Sequence, residues 1–246
     1  MGIIKRITDG ALGLLFPPRC PVCDCIADNR QLICPACKSA LPYIKGKVCE
    51  KCGKPVGAAR GLCPDCQRAA KSFTQARAVW MLEGEIKEAL YRFKFCNRKD
   101  YAPFFSKEAA QALEGWIKEA APEAIVPVPM HKKRERERGY NQSLLIAKEL
   151  SAVTQIPVRN DIIVKTHNTK PQKELSAVER KNNLKNAFKI MCDDVQLKSI
   201  LVVDDIYTTG STADAVAKTL RGAGVGNVYV LCMCTGKVAA QSAEHK

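Results

Sequence analysis

A chain of 246 residues has room for one sizeable α/β domain with a small appendage, or for two modest domains. Its hydrophobic share of 46% excludes disorder as the default, and no stretch is long and uncharged enough to span a bilayer. The formal net charge of +14 points to an anionic partner (nucleic acid, acidic lipid or a polyphosphate) without choosing among them.

Residues 1–19 place Ile3, Ile4, Ile7, Ala11, Leu14 and Leu15 at roughly helical spacing before Pro17 and Pro18 break the pattern. This predicts an amphipathic helix that caps its own domain, with a membrane-peripheral placement as the alternative. Lys5, Arg6 and Asp9 interrupt the apolar run and no small-residue cleavage site follows it, so no export signal is read. A reducing, cytoplasmic compartment is therefore expected for the thirteen cysteines, and there regular pairs hold metal.

Residues 20–70 carry four such pairs: Cys20 with Cys23, Cys34 with Cys37, Cys49 with Cys52, and Cys63 with Cys66. A C-x-x-C turn presents two thiolates beside backbone amides, and two turns complete a closed tetrahedral S₄ shell suited to structural zinc. Two zinc ions on a double zinc ribbon are expected. Two ribbons in series would use the first two pairs and then the last two; an interleaved arrangement would join the first pair to the third, and the sequence alone does not exclude it. Gly53 fits the left-handed position that ends such a knuckle. Cys25 is a spare thiol, and Cys232 and Cys234 read as small apolar residues on a buried strand.

From residue 71 to 246 the pattern changes. A strand is predicted over 77–82, then a helix with Ile86, Ala89, Leu90 and Phe93 on one face. A second helix follows Pro103, with Phe104, Phe105, Ala109, Ala112, Leu113, Trp116 and Ile117 inward. Strands are read at 124–129, 161–165, 199–206 and 227–234, and helices at 141–155, with Leu144, Leu145, Ala147 and Leu150 facing in, and at 211–221. The alternation predicts an α/β fold, a mostly parallel sheet with flanking helices, whose ligands sit at the carboxyl ends of the strands.

One of those ends carries Val202-Val203-Asp204-Asp205-Ile206-Tyr207-Thr208-Thr209-Gly210-Ser211-Thr212. An apolar strand delivers two carboxylates, and a hydroxyl-rich turn then opens a helix. The helix dipole favours an anion there, Gly210 permits close backbone approach, and the carboxylates suit vicinal hydroxyls or Mg²⁺. No Walker loop is present. The segment resembles the pyrophosphate-ribose signature of type I phosphoribosyltransferases. That resemblance implies that Asp204 and Asp205 act at the ribose hydroxyls and metal, and that Thr208, Thr209, Gly210, Ser211 and Thr212 hold the 5-phosphate of phosphoribosyl pyrophosphate.

Arg134, Arg136 and Arg138-Gly139-Tyr140-Asn141-Gln142 follow Val126-Pro127-Val128-Pro129. Thr169, Gln172, Leu175, Arg180, Asn183, Ala187 and Phe188 lie on a later polar stretch. With the cysteine ribbons, these segments make the chain similar to the ComF family of bacterial competence proteins, which includes the GntX-type proteins. Lys165 and His167 stand where many relatives carry arginines.

Two basic runs, net +3 over 131–138 and net +5 over 165–189, are expected to follow strands of the same sheet. Arg134 and Arg138 would meet the pyrophosphate. The resemblance makes 165–189, with Gln172 and Arg180, a mobile hood over the reaction centre. It also implies phosphoribosyl transfer or hydrolysis with Mg²⁺, and a link to DNA uptake and competence machinery. A catalytically silent sensor or scaffold, and a single-stranded DNA-binding module, are the rival readings. Aromatic residues interleaved with the basic runs are few, Tyr140 in one and Phe188 in the other.

Overall fold

The computed structural model describes residues 19–27, 32–57, 61–166, 187–192 and 195–238. The expected helix over 1–19 lies outside them apart from its last residue, as do Gln172, Arg180 and most of the expected hood.

Within the cysteine-rich segment, two short helices, α1 (Pro35–Ala40) and α2 (Pro64–Arg68), each follow a Cys N-cap and open on proline. Proline's fixed φ and missing N–H suit the first helical turn. Then come β1 (Gln75–Met81), α3 (Gly84–Phe95), a 3₁₀ turn (Lys99–Tyr101), α4 (Ala102–Ala112) and α5 (Glu114–Ala120). These are followed by β2 (Ala124–Pro127), α6 (Lys132–Arg138), α7 (Gln142–Thr154), β3 (Ile163–Lys165) and β4 (Phe188–Ile190). Last are β5 (Ser199–Tyr207), α8 (Ser211–Gly222) and β6 (Asn227–Thr235).

The four-stranded sheet runs β1-β6-β5-β2 and is parallel throughout. This is the expected α/β architecture. Successive β5 residues enter opposite cores, as a period of two requires. Leu201 and Val203 face Ile86, Leu90 and Phe93 of α3, Phe104 and Phe105 of α4, and Ile146 and Leu150 of α7. Ile200 and Val202 face Val216, Ala217 and Leu220 of α8. Trp80 anchors the first core, stacked on Phe104 at 5.6 Å with Phe105 edge-on at 6.1 Å.

Several expectations are corrected. The 161–165 strand is not part of the main sheet: β3 pairs antiparallel with β4 in a separate two-stranded sheet. So the second basic segment does not follow a strand of the sheet that carries the Asp204 loop. The helix after Pro103 is broken at Leu113 into α4 and α5, leaving Ala112 exposed, and Ile146, absent from the predicted face of α7, is fully buried. The first basic run is itself a helix, α6, ended by Gly139 at φ 84°.

The two ribbons divide between the cores. Cys20, Val22, Ile33 and Leu41 join the core under α3 and α4, whereas Cys49, Cys52, Cys63 and Cys66 join the one under α8. Between them the ribbon segment runs along the edge of β1 that β6 leaves free. Ile44 N donates to Val79 O at 3.0 Å, Met81 N to Pro42 O at 2.9 Å, and Ala76 N to Lys51 O at 2.7 Å.

Candidate functional site

The cysteines come together in series. Cys20, Cys23, Cys34 and Cys37 form one cluster and Cys49, Cys52, Cys63 and Cys66 the other, with all four sulfurs of each within 4.8 Å of one another. A tetrahedral S₄ shell with Zn–S near 2.3 Å puts sulfurs about 3.8 Å apart. Cys23 Sγ lies 3.7 Å from Cys34 Sγ, and Cys52 Sγ lies 3.6 Å from Cys63 Sγ, so both sets fit zinc. Each ligand of the second set falls 29 residues after its counterpart in the first.

The backbone repeats with the ligands. Cys20 N donates to Cys25 O at 2.8 Å, as Cys49 N does to Lys54 O at 2.8 Å, which gives Cys25 a backbone role and no place in a cluster. Asp24 at φ 60° and Gly53 at φ 71° hold the same left-handed position. Only glycine fits at 53, where a Cβ would lie 2.5 Å from Ala76 O. Amides around the sulfurs favour thiolates. The Cys25 backbone N–H, opposing desolvation, leads in pulling Cys23 down to about 6. Burial pushes Cys49 up, but the amides of Cys52, Cys63 and Lys51 bring it to about 7.

At the carboxyl ends of β2 and β5 lies a cleft of about 490 Å³, lined among others by Asp204, Asp205, Thr208, Thr212, Arg134 and Arg138. Of the expected loop, Thr209, Gly210 and Ser211 complete the turn, with Thr209 Oγ1 2.8 Å from Ser211 Oγ and Gly210 at φ 75° as the cap of α8. Tyr207 turns away from the cleft into the core beside Phe73.

Three side chains that sequence reasoning missed hold the acid pair. Lys94 Nζ of α3 lies 2.7 Å from Asp205 Oδ2, and Gln142 Nε2 donates to the same oxygen at 2.9 Å. Ser143 Oγ donates to Asp204 Oδ1 at 3.1 Å, and so does Asp205 N at 2.9 Å. Arg138 Nη1 in turn donates to Gln142 Oε1 at 2.5 Å. Burial and the neighbouring Asp205 carboxylate push Asp204 up to about 7. Across the cleft, burial and then the charge of Arg134 lower Lys165 to about 8. Gln142 lay within the motif that carried the family resemblance; nothing in the local sequence singles out Lys94.

The rim also carries aromatics far from both basic runs in sequence. Tyr91 and Phe95, one turn apart on α3, are 51% and 55% exposed with ring centroids 4.9 Å apart, and Arg138 lies 5.0 Å from the Phe95 ring. Among the described residues no helix is long and apolar enough to cross a membrane.

The double zinc ribbon domain family matches residues 11–67. A solved purine phosphoribosyltransferase from Pyrococcus horikoshii is similar at 20% identity and TM-score 0.35, over 54% of this chain and 73% of its own. Competence protein ComFC of Bacillus subtilis is 28% identical over 199 residues, 77% of this chain and 78% of its own. Competence protein F of Haemophilus influenzae is 30% identical over 210 residues, 80% of this chain and 88% of its own. Identity to the two competence proteins over most of their length and of this chain's, joined to two C-x-x-C ribbons in series and an acid pair before a hydroxyl-rich turn, makes this chain a member of the ComF family.

Proposed function

We propose that the cleft binds phosphoribosyl pyrophosphate with Mg²⁺ and transfers the phosphoribosyl group to a nitrogen nucleophile or to water. The observation that carries this reading is the convergence, in one cleft, of the Asp204–Asp205 pair, the Thr208–Thr212 turn and the cations Lys94, Arg134, Arg138 and Lys165. The turn would take the 5-phosphate at the N-terminus of α8, where backbone amides and the helix dipole favour an anion. The acid pair would accept from the two ribose hydroxyls. Arg134, Arg138 and Lys165 would draw off pyrophosphate as the bond from its oxygen to ribose C1 breaks and the electron pair leaves with it. The carboxylates then lie where positive charge develops on the ribose.

Two adjacent carboxylates, one of them pushed up in pKa by burial and then by the other, are a hard-oxygen donor set suited to Mg²⁺. When bound, Mg²⁺ supplies charge neutralisation at the pyrophosphate. The names of the Haemophilus and Bacillus relatives, both competence proteins, support a role in competence.

Titration calorimetry with phosphoribosyl pyrophosphate and Mg²⁺ tests the binding. Asp204→Asn with Asp205→Asn should weaken it by about 2–4 kcal/mol, the worth of charge-assisted bonds lost at a buried site. Unchanged affinity in the folded double variant would move the ligand elsewhere. A mass-resolved product assay separates a transferase from a silent sensor.

A second reading, binding of single-stranded DNA, is favoured by one observation. Tyr91 and Phe95 offer stacking faces beside Arg138 and Arg134, and every base has a face to stack.

A further inference from the structure

The duplicated ribbon reaches the cleft at two separate places. Its first half grips α3: Arg92 Nη2 donates to Pro21 O at 3.0 Å and to Val22 O at 2.6 Å, inside the Cys20–Cys23 knuckle. Two residues further along that helix, Lys94 meets Asp205.

The second half grips the Thr208–Thr212 turn. Lys54, only 4% exposed, donates from Nζ to Asp65 Oδ2 at 3.1 Å and to Lys237 O at 3.2 Å. Asp65 lies between Cys63 and Cys66, so this pair ties the two knuckles of the second ribbon together. The same ammonium lies 6.0 Å from the ring centroid of Tyr207. Tyr207 in turn meets Phe73 edge-on at 6.2 Å, and its hydroxyl fills the space under Gly210, where a Cβ would come within 2.2 Å of it. Just after Cys66, Lys71 Nζ donates to Thr209 O at 3.2 Å, and Ser72 N donates to Asp214 Oδ1 in the first turn of α8 at 2.6 Å.

We propose that the second ribbon is the positioning device of the 208–212 turn, acting through Lys54, Tyr207 and Lys71, while the first ribbon positions the wall that carries Lys94. Threonine, glycine and serine bury little apolar surface, so the turn has few contacts of its own to hold one conformation. Bracing it from the second ribbon spends the ordering entropy during folding, which leaves the turn preorganised for an anion. The functional consequence rests on the ligand reading above; the mechanical coupling stands without it.

Hydrogen exchange on the full-length chain tests the coupling without any ligand. Cys66→Ser should speed amide exchange over 208–214 by about tenfold or more, leaving 84–95 unchanged, and Cys37→Ser should do the reverse. Elemental analysis verifies which ribbon has lost its metal. Should Cys66→Ser fail to fold, Lys71→Met decides. With both zinc ions retained it should speed exchange in the turn about fivefold, the worth of one hydrogen bond, and Lys71→Arg should restore it.

Reciprocity gives a further readout. A ligand held by the braced turn must raise the equilibrium zinc affinity of the second ribbon in competition with a chelator, because a coupling free energy acts equally in both directions. Loop exchange indifferent to Cys66→Ser and Lys71→Met, or equally altered by Cys37→Ser, overturns the coupling. Absence of binding heat with phosphoribosyl pyrophosphate overturns only the ligand reading.

Discussion

Lys94 and Asp205 form a buried ion pair, Nζ to Oδ2 at 2.7 Å, with side chains 17% and 7% exposed. The pair links a helix that follows the first strand to the acid motif on the third strand of the sheet in space. It places an ammonium beside two adjacent carboxylates, and Gln142 also donates to the shared oxygen. Without that cation the two acids would face each other in a site too buried for water to separate their charges.

Lys94→Met keeps the apolar stem and removes the charge. It should cost about 3 kcal/mol of stability at pH 8, because a broken buried pair leaves an uncompensated charge. The loss should shrink at pH 5, where the acid pair can take up a proton instead. Urea unfolding at the two pH values measures both, and a loss independent of pH would contradict the account.

Asp204 gives a second pH signature. Its folded-state pKa, pushed up to about 7, lies above the unfolded carboxyl value of about 3.9, so the folded form binds the proton more tightly. The stability it contributes is full below the unfolded pKa and is lost as pH rises through about 7. Asp204→Asn cannot ionise, and its amide oxygen can still accept from Ser143. The variant should therefore be more stable than the parent by about 2 kcal/mol at pH 8 without divalent cations, with a narrower gap at pH 4.5. Parallel pH profiles would refute it.

Elemental analysis of protein purified without added metal should find two zinc ions per chain, as two separate S₄ clusters require. One zinc would mean that one of the two clusters does not hold metal.

For single-stranded DNA, the two kinds of contact should separate by salt. Tyr91→Ala with Phe95→Ala should weaken binding by about 1–3 kcal/mol per stacked base without changing its salt slope. Lys132→Ala with Lys133→Ala and Arg134→Ala should flatten the slope, since phosphate contacts release counterions. If the aromatic substitutions have no effect in low salt, the α3 rim is not the DNA site.

How much of this could be read from the residues varied with how local the signal was. Asp204, Asp205 and the following turn are legible because a strand, its end and a helix start lie within one short segment. The face Ile86, Ala89, Leu90 and Phe93 follows the 3.6 period and is fully buried as expected. Lys94 lies at the border of that face and Tyr91 on the other side of the helix, where period alone reads them as solvated. Only the approach of α3 to β5 gives them a role. Strand β3 misled because its partner, Phe188–Ile190, lies beyond a long polar segment, and three residues carry no mark of which ladder they join. In the run 132–138 the charge masks the helix, although lysine, arginine and glutamate are all good helix formers.

The backbone bonds from Pro42, Ile44 and Lys51 to β1 also bear on how the chain fails. A parallel sheet with an uncovered outer strand presents a row of free N–H and C=O groups that can recruit another molecule's strand. Here Pro42 and Ile44 lie between the two cysteine clusters and Lys51 lies within the second, so the covering segment takes its shape from them. A chain stripped of metal would therefore do more than slacken at its N-terminal side. It would uncover an adhesive strand, and self-association in proportion to protein concentration should follow the loss of zinc.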